Sequence, residues 1–242
     1  MEHLRKPHVV LDNRNNKALK IQKIIATVRG FRQQDFILEI GTGSGGIAAY
    51  FAAQNIQFNV QAVDVVDSRV TKEGYQFQLV NGTTLPFKDE SFDVVITNHV
   101  IEHVGESDAQ LHHLCEVKRV LKKDGVAYLA VPNRWMLVEP HYQLIFLSWL
   151  PKKYRSKYLK KMRNIDFYDC EPFEKKQLEN LFDIVDISYQ NQTIQALKIL
   201  LQDEKENHKF LYYMFLFIPD FVLRIFLGVI PTLIYTMKIN RH

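Results

Sequence analysis

The ten residues Ile37–Gly46, ILEIGTGSGG, constrain this chain more than any other stretch. The apolar run Phe36–Ile40 reads as a buried strand. It stops at four glycines, Gly41, Gly43, Gly45 and Gly46, and a helical pattern follows over Gly45–Gln54. Glycine at such a junction lets the backbone adopt positive φ and approach a ligand, and the helix start adds oriented N–H donors. A turn without a ligand gains nothing from so many glycines, which weaken the junction. Gly41, Gly43 and Gly46 satisfy GxGxxG, while Glu39, Gly41, Gly43 and Gly45 give ExGxGxG. Asp64, ending the next apolar run, suits two ribose hydroxyls under either pattern. The glycines by themselves leave NAD and another adenosine cofactor both open.

The surrounding periodicity says what kind of sheet carries the loop. A helical stripe covers Lys17–Val28, and strand-like runs follow at Phe58–Val66, Gln76–Val80 and Phe92–Thr97. An amphipathic helix over Ala109–Leu121 ends at the turn Lys123-Asp124-Gly125, and Val126–Val131 reads as a fifth strand closed by Pro132. Strands alternating with helices predict a doubly wound, parallel α/β sheet. Beyond Pro132 an aromatic, helix-like stretch runs to Leu150; Phe173–Leu181 reads as a helix, Ile184–Tyr189 as a strand, and Thr232–Ile239 as a last strand of the sheet.

With 242 residues, 47% hydrophobic and 24% charged, the chain has the composition of one globular domain and excludes a disordered or collagen-like protein. Its two cysteines, Cys115 and Cys170, form neither a disulfide framework nor a zinc ribbon, which favours a reducing, cytoplasmic setting. The first residues show no apolar signal segment. The net charge of +4 is local. Lys152–Arg163, KKYRSKYLKKMR, carries seven basic residues and no acid, and without it the rest of the chain sums to −3.

Four segments together resemble the class I S-adenosylmethionine-dependent methyltransferases of the methyltransferase-11 type, particularly those with a UbiE/UbiG-like core. They are ILEIGTGSGG, AVDVV at Ala62–Val66, LPFKDESFDVVITNHVIEHV at Leu85–Val104, and VLKKDGVAYLAVPN at Val120–Asn133. The likeness spans roughly Ile24 to Asn133 in order and spacing. It implies an α/β, doubly wound, seven-stranded mostly parallel Rossmann-like sheet with a helical, apolar insertion before the last strand, and S-adenosylmethionine as cofactor rather than NAD. One domain over residues 1–242 is expected, with a cofactor core at about 17–133, an acceptor and basic cap segment at about 134–172, and the insertion at about 190–230.

Carried over by position, the resemblance assigns Glu39 and the loop Gly41, Thr42, Gly43 and Gly45 to the methionine end of the cofactor. Asp64 would take both ribose hydroxyls and Val65 one adenine face. Asn81 and Gly82 stand where the family has Asp and a small residue, so the adenine amine would be held without charge assistance. Asn98 and His99 end the fourth strand, beside the reactive methyl. Methyl transfer to oxygen needs a base with a pKa near working pH. His103 and His99 are the candidates, with His141 as their rival; local structural roles for the first two stay open. A metal at His99, Glu102 and His103 is not expected, because His99 replaces a carboxylate. His112 and His113, in mid-helix, are expected at the surface.

Phe210–Ile230, FLYYMFLFIPDFVLRIFLGVI, is about as long as the ~20 residues that span a bilayer. Pro219-Asp220 and Arg224 interrupt it, and a following sheet strand would return the chain to the same side. Two short helices lying on one leaflet are therefore expected, with Phe217, Phe221 and Phe226 supplying apolar area. Lys152, Lys153, Arg155 and Lys157 are expected to meet anionic headgroups. The expectation is a cytoplasmic enzyme peripheral to the inner membrane face, O-methylating an amphipathic or lipid-linked acceptor and binding no nucleic acid. A methyltransferase of a soluble metabolite and a catalytically silent cofactor-binding scaffold stay open, as does the oligomeric state.

Overall fold

Near-continuous burial along the central strands marks a sheet covered on both faces. In the computed structural model, which describes residues 14–54, 57–139, 142–168, 170–203, 213, 218–219, 222–223 and 228–240, the sheet has seven strands. They are β1 (Phe36–Ile40), β2 (Asn59–Asp64), β3 (Gln76–Leu79), β4 (Phe92–Asn98), β5 (Leu121–Pro132), β8 (Ile187–Asn191) and β9 (Thr232–Ile239). Their order is β3-β2-β1-β4-β5-β9-β8; the first five run parallel, and β9 lies antiparallel to both β5 and β8. The expected mostly parallel, seven-stranded fold is thus present. The last strand enters the sheet between its neighbours rather than at its edge.

Two hydrophobic layers divide by strand parity. Leu38, Val95, Ala127 and Leu129 pack with Leu114 and Val117 of α3 (Ser107–Val120) and with Leu178 and Phe182 of α5 (Lys175–Val185). Ile37, Val94, Ile96 and Tyr128 face α1 (Arg14–Ala26), α2 (Gly46–Ala52) and α6 (Thr193–Asp203). In α1 the buried side chains are Ala18, Ile21, Ile24 and Ile25, a spacing that places them on one helical face. At the opposite end of the sheet from the loop, buried Arg29 forks onto Asp35 at 2.7 and 2.9 Å and reaches Asp93 at 3.3 Å. Its Nε donates to the Asp124 carbonyl at 3.2 Å. That contact fixes the irregular start of β5, where the register shifts between Phe92 and Val94.

Several sequence expectations are corrected here. The stretch after Pro132 is no helix. It forms a short hairpin, β6 (Val138–Glu139) with β7 (Leu144–Ile145), and a single 3-10 turn at Leu147–Trp149. The strand expected at Ile184–Tyr189 starts only at Ile187, because α5 continues to Val185 and Asp186 caps it at φ 55°. The basic run forms α4 (Lys152–Arg163), but Arg155 is buried and its guanidinium donates to the carbonyls of Leu150 and Ser148. It is a structural pin rather than a surface charge. Within the region expected as an insertion, α6 packs Ala196 and Ile199 into the core. Phe217, Phe221, Phe226 and most of Phe210–Ile230 lie outside the described residues.

Candidate active site

The order β3-β2-β1-β4 reverses direction between β1 and β4, and in open α/β sheets ligands bind beyond the carboxyl ends of strands at such a point. The glycine loop leaves β1 there. Gly41 donates its N–H to the Val63 carbonyl at 2.8 Å, and the Ser44 carbonyl accepts from Val70 and Thr71, both at 3.0 Å. The loop is therefore strapped both to the end of β2 and to the segment that follows it. Gly45, at φ 82°, caps α2 with no room for a side chain, since an added Cβ would lie 2.1 Å from the Thr71 carbonyl oxygen. Gly43, at φ 52°, is different: an added Cβ meets no protein atom within 4 Å. One glycine serves packing, and the other opens onto the cleft.

Glu39 and Asp64 hold this loop from below and from the side. Glu39 is buried, and its Oε2 accepts from the Thr42 hydroxyl at 2.7 Å and the Ala48 N–H at 2.9 Å. Burial pushes its pKa up from 4.5 to about 8, against the two hydrogen bonds that favour the ionised form. Its observed contacts are with the loop and the start of α2. Asp64 is half-buried; Oδ2 accepts from Gly43 N–H at 2.8 Å and Oδ1 from Val65 N–H at 2.7 Å. Val66 N–H also reaches Oδ1, at 3.5 Å, so of a carboxylate's roughly four lone-pair sites about one stays open to a hydroxyl. Val65 beside it is 58% exposed, a large apolar side chain facing solvent at the sheet's ligand end. Val80 donates to the Asp64 carbonyl, so exposed Asn81 and Gly82, at φ 71°, follow directly along the same rim. An acidic acceptor, an exposed apolar face and an open glycine loop fit an adenosine cofactor with a charged tail.

At the end of β4 the chain makes a strained turn. His99 has φ 60°, costly for a residue with a Cβ, while its N–H still pairs with the Ala130 carbonyl at 2.9 Å. Its Nδ1 lies 3.2 Å from Oε1 of Glu102, a carboxylate only 2% exposed. His103 Nε2 is 4.0 Å from the same oxygen. The second oxygen, Oε2, is buried and finds no hydrogen-bond partner among the described residues. Asn98 precedes this turn, paired with Ala130 across the sheet. Sequence spacing places the three residues together but does not show that Glu102 is the buried centre.

His112 is exposed as expected, but His113 is not. It is buried against Thr97, Oγ1 to Nε2 3.1 Å, and burial lowers its pKa from 6.5 to about 4. The helix α3 turns it inward onto β4, which a mid-helix position alone does not reveal. His141 lies outside the described residues, while its neighbour Glu139 is buried and accepts from the Tyr142 N–H at 2.7 Å. Among the described residues no cluster of three or more His, Cys, Asp or Glu could hold a metal ion.

Comparison with known proteins agrees with this geometry. Residues 38–129 match a family described as a methyltransferase domain. A ubiquinone biosynthesis O-methyltransferase of Rickettsia akari is 30% identical over 177 residues, covering 66% of this chain and 67% of the relative. A ubiquinone/menaquinone biosynthesis C-methyltransferase of Desulfotalea psychrophila is 28% identical over 124 residues, 48% of this chain and 49% of the relative. The chain spans about half the length of most of the curated relatives it matches. A SAM-dependent methyltransferase of Methanosarcina mazei shares the fold with TM-score 0.54 at 18% identity, covering 87% of this chain and 95% of that one. The YcgJ protein of Bacillus subtilis does so with TM-score 0.54 at 17% identity, over 93% and 100% of the two chains. On the glycine loop, Asp64, the strand order and these relatives, the chain belongs to the class I S-adenosylmethionine-dependent methyltransferases, with S-adenosylmethionine as its cofactor.

Proposed function

We propose that this protein transfers a methyl group to an oxygen of an amphipathic or lipid-linked acceptor at the inner face of the cytoplasmic membrane. The observation that carries the oxygen chemistry is the contact between His99 and buried Glu102 at the end of β4. Bound S-adenosylmethionine supplies an electrophilic methyl on a sulfonium. Glu39, through Thr42 and Ala48, sets the loop for the methionine end, and Asp64 and Val65 orient the nucleoside. Asn81, Gly82 and Asn98 complete the rim of the cofactor site. With Nδ1 facing Glu102, the other ring nitrogen of His99 would accept the acceptor's hydroxyl proton as the methyl passed from sulfur to oxygen, its C–S bond breaking as the C–O bond formed and the thioether leaving. Glu102 then neutralises the imidazolium. His103, farther from the same carboxylate, is the second candidate base, and His141 the third.

The acceptor class rests on the cap, residues 134–172, and on two relatives named for quinone biosynthesis. Among the described residues no helix is long and apolar enough to cross a membrane. The test uses tritium-labelled S-adenosylmethionine with a whole membrane extract, followed by partition into organic and aqueous phases. Label in the organic phase is expected, lowered roughly 10²–10⁴-fold by His99→Ala with cofactor binding unchanged by calorimetry. Label only in the aqueous phase would move a soluble metabolite to first place. Intact binding with no label in either phase would indicate a silent scaffold.

A further inference from the structure

We infer that the outer face of the cap hairpin and the lysine stripe of α4 form one docking surface for an anionic lipid bilayer. The inference deepens the membrane-face reading by naming the element that touches lipid. The cap has its own small core, in which Leu144, Leu147, Leu159, Tyr168 and Cys170 are buried. Yet it leaves large apolar side chains outside that core. In the hairpin, Glu139 pairs with Leu144 on the inner face, while Val138 pairs with Ile145 on the outer face. Val138 is 46% exposed and Ile145 55%. Beside them stand Phe146, 48% exposed, and the exposed indoles of Trp135 and Trp149, which meet edge to face with centroids 5.5 Å apart. Isolated exposed apolar residues need no account, but a contiguous group on one hairpin does.

The adjoining helix supplies the charge. Lys153, Lys157 and Lys161 are exposed and recur every fourth residue, so they form one stripe of like charge. Such a stripe costs an isolated helix a few tenths of a kcal/mol per pair, a cost that an anionic partner reverses. Helix and hairpin are locked together. Arg155 holds the carbonyls of Ser148 and Leu150, Arg163 Nε donates to the Tyr142 carbonyl at 3.0 Å, and the Tyr158 hydroxyl donates to the Ile145 carbonyl at 3.3 Å. Aliphatic and aromatic side chains beside lysines match the boundary between acyl chains and anionic headgroups. A nucleic acid would use the lysines and leave Val138 and Ile145 in water.

Flotation with phosphatidylcholine vesicles, with and without phosphatidylglycerol, tests this. The full-length protein is expected to float only with the anionic vesicles and to be released by high salt. Lys153→Gln with Lys157→Gln should weaken binding about thirtyfold, about fivefold per charge. Val138→Ser with Ile145→Ser should weaken it about tenfold or more. Both pairs should retain wild-type affinity for S-adenosylmethionine, which shows that they are folded. Variants that float like wild type, or wild-type protein that ignores phosphatidylglycerol, overturn the inference. So does a wild-type dimer in sedimentation that Val138→Ser with Ile145→Ser converts to monomer, because a second copy would then occupy the surface. Flotation requires no turnover, so it fails independently of the methyl-transfer assay.

Discussion

Glu39 shows how a single buried carboxylate can tie folding to the ligand site. Its pKa is raised from 4.5 to about 8 by burial, so the folded chain holds a proton that the unfolded chain releases. That contribution is fully present below the unfolded pKa and is lost as pH rises through the folded one. Stability of the ligand-free protein should therefore fall between about pH 4.5 and about pH 8, by an amount on the order of a few kcal/mol. Glu39→Gln should flatten this slope in denaturant titrations run across that range; an unchanged slope would show that another group titrates. His113 works in the opposite sense. Its lowered pKa favours folding above 6.5, and that gain fades as pH falls toward 4. Neither environment was legible in sequence. The residues were visible as types, but their burial depends on which helix face meets the sheet.

The glycine loop, one element, contains two different demands on glycine. At Gly45 a methyl group would collide with backbone at Thr71, and φ is positive, so Gly45→Ala should cost about 2–5 kcal/mol of stability. At Gly43 only the positive φ opposes a side chain, so Gly43→Ala should fold with a loss of about 1–2 kcal/mol. Its methyl would project where protein atoms are absent, and affinity for S-adenosylmethionine should drop at least about tenfold. Thermal melts and calorimetry on the pair separate the two roles. If Gly43→Ala binds cofactor normally, the cofactor does not cross that face of the loop. The strand before the loop was readable because a five-residue run, apolar except for Glu39, ends abruptly at glycine. The hairpin at Val138–Ile145 was not: its aromatic composition suits helix and strand alike, and pairing across four residues decides it.

At the scale of the whole molecule, Asn133 joins parts that are distant in sequence. Its Nδ2 donates to the carbonyls of Gly228 and Ile230, both at 2.9 Å, and its Oδ1 accepts from the Trp135 N–H at 3.1 Å. The end of β5, the start of the cap and the chain entering β9 thus meet at one side chain. Asn133→Ala should cost about 2–4 kcal/mol and lower the melting midpoint by roughly 5–10 °C. Limited proteolysis should then cut first near the cap, and a variant that melts like wild type would dismiss the clamp. The sequence by itself determined the parallel α/β order, the loop, Asp64 and the last strand, because glycine position and hydrophobic period are local properties that any fold of this chain must respect. Tertiary structure alone decided that β9 enters between β5 and β8, that Arg155 turns inward while its neighbouring lysines stay outside, and that Glu102 sits buried beneath His99. Those outcomes depend on pairing and burial between segments far apart in the chain, which no local period encodes.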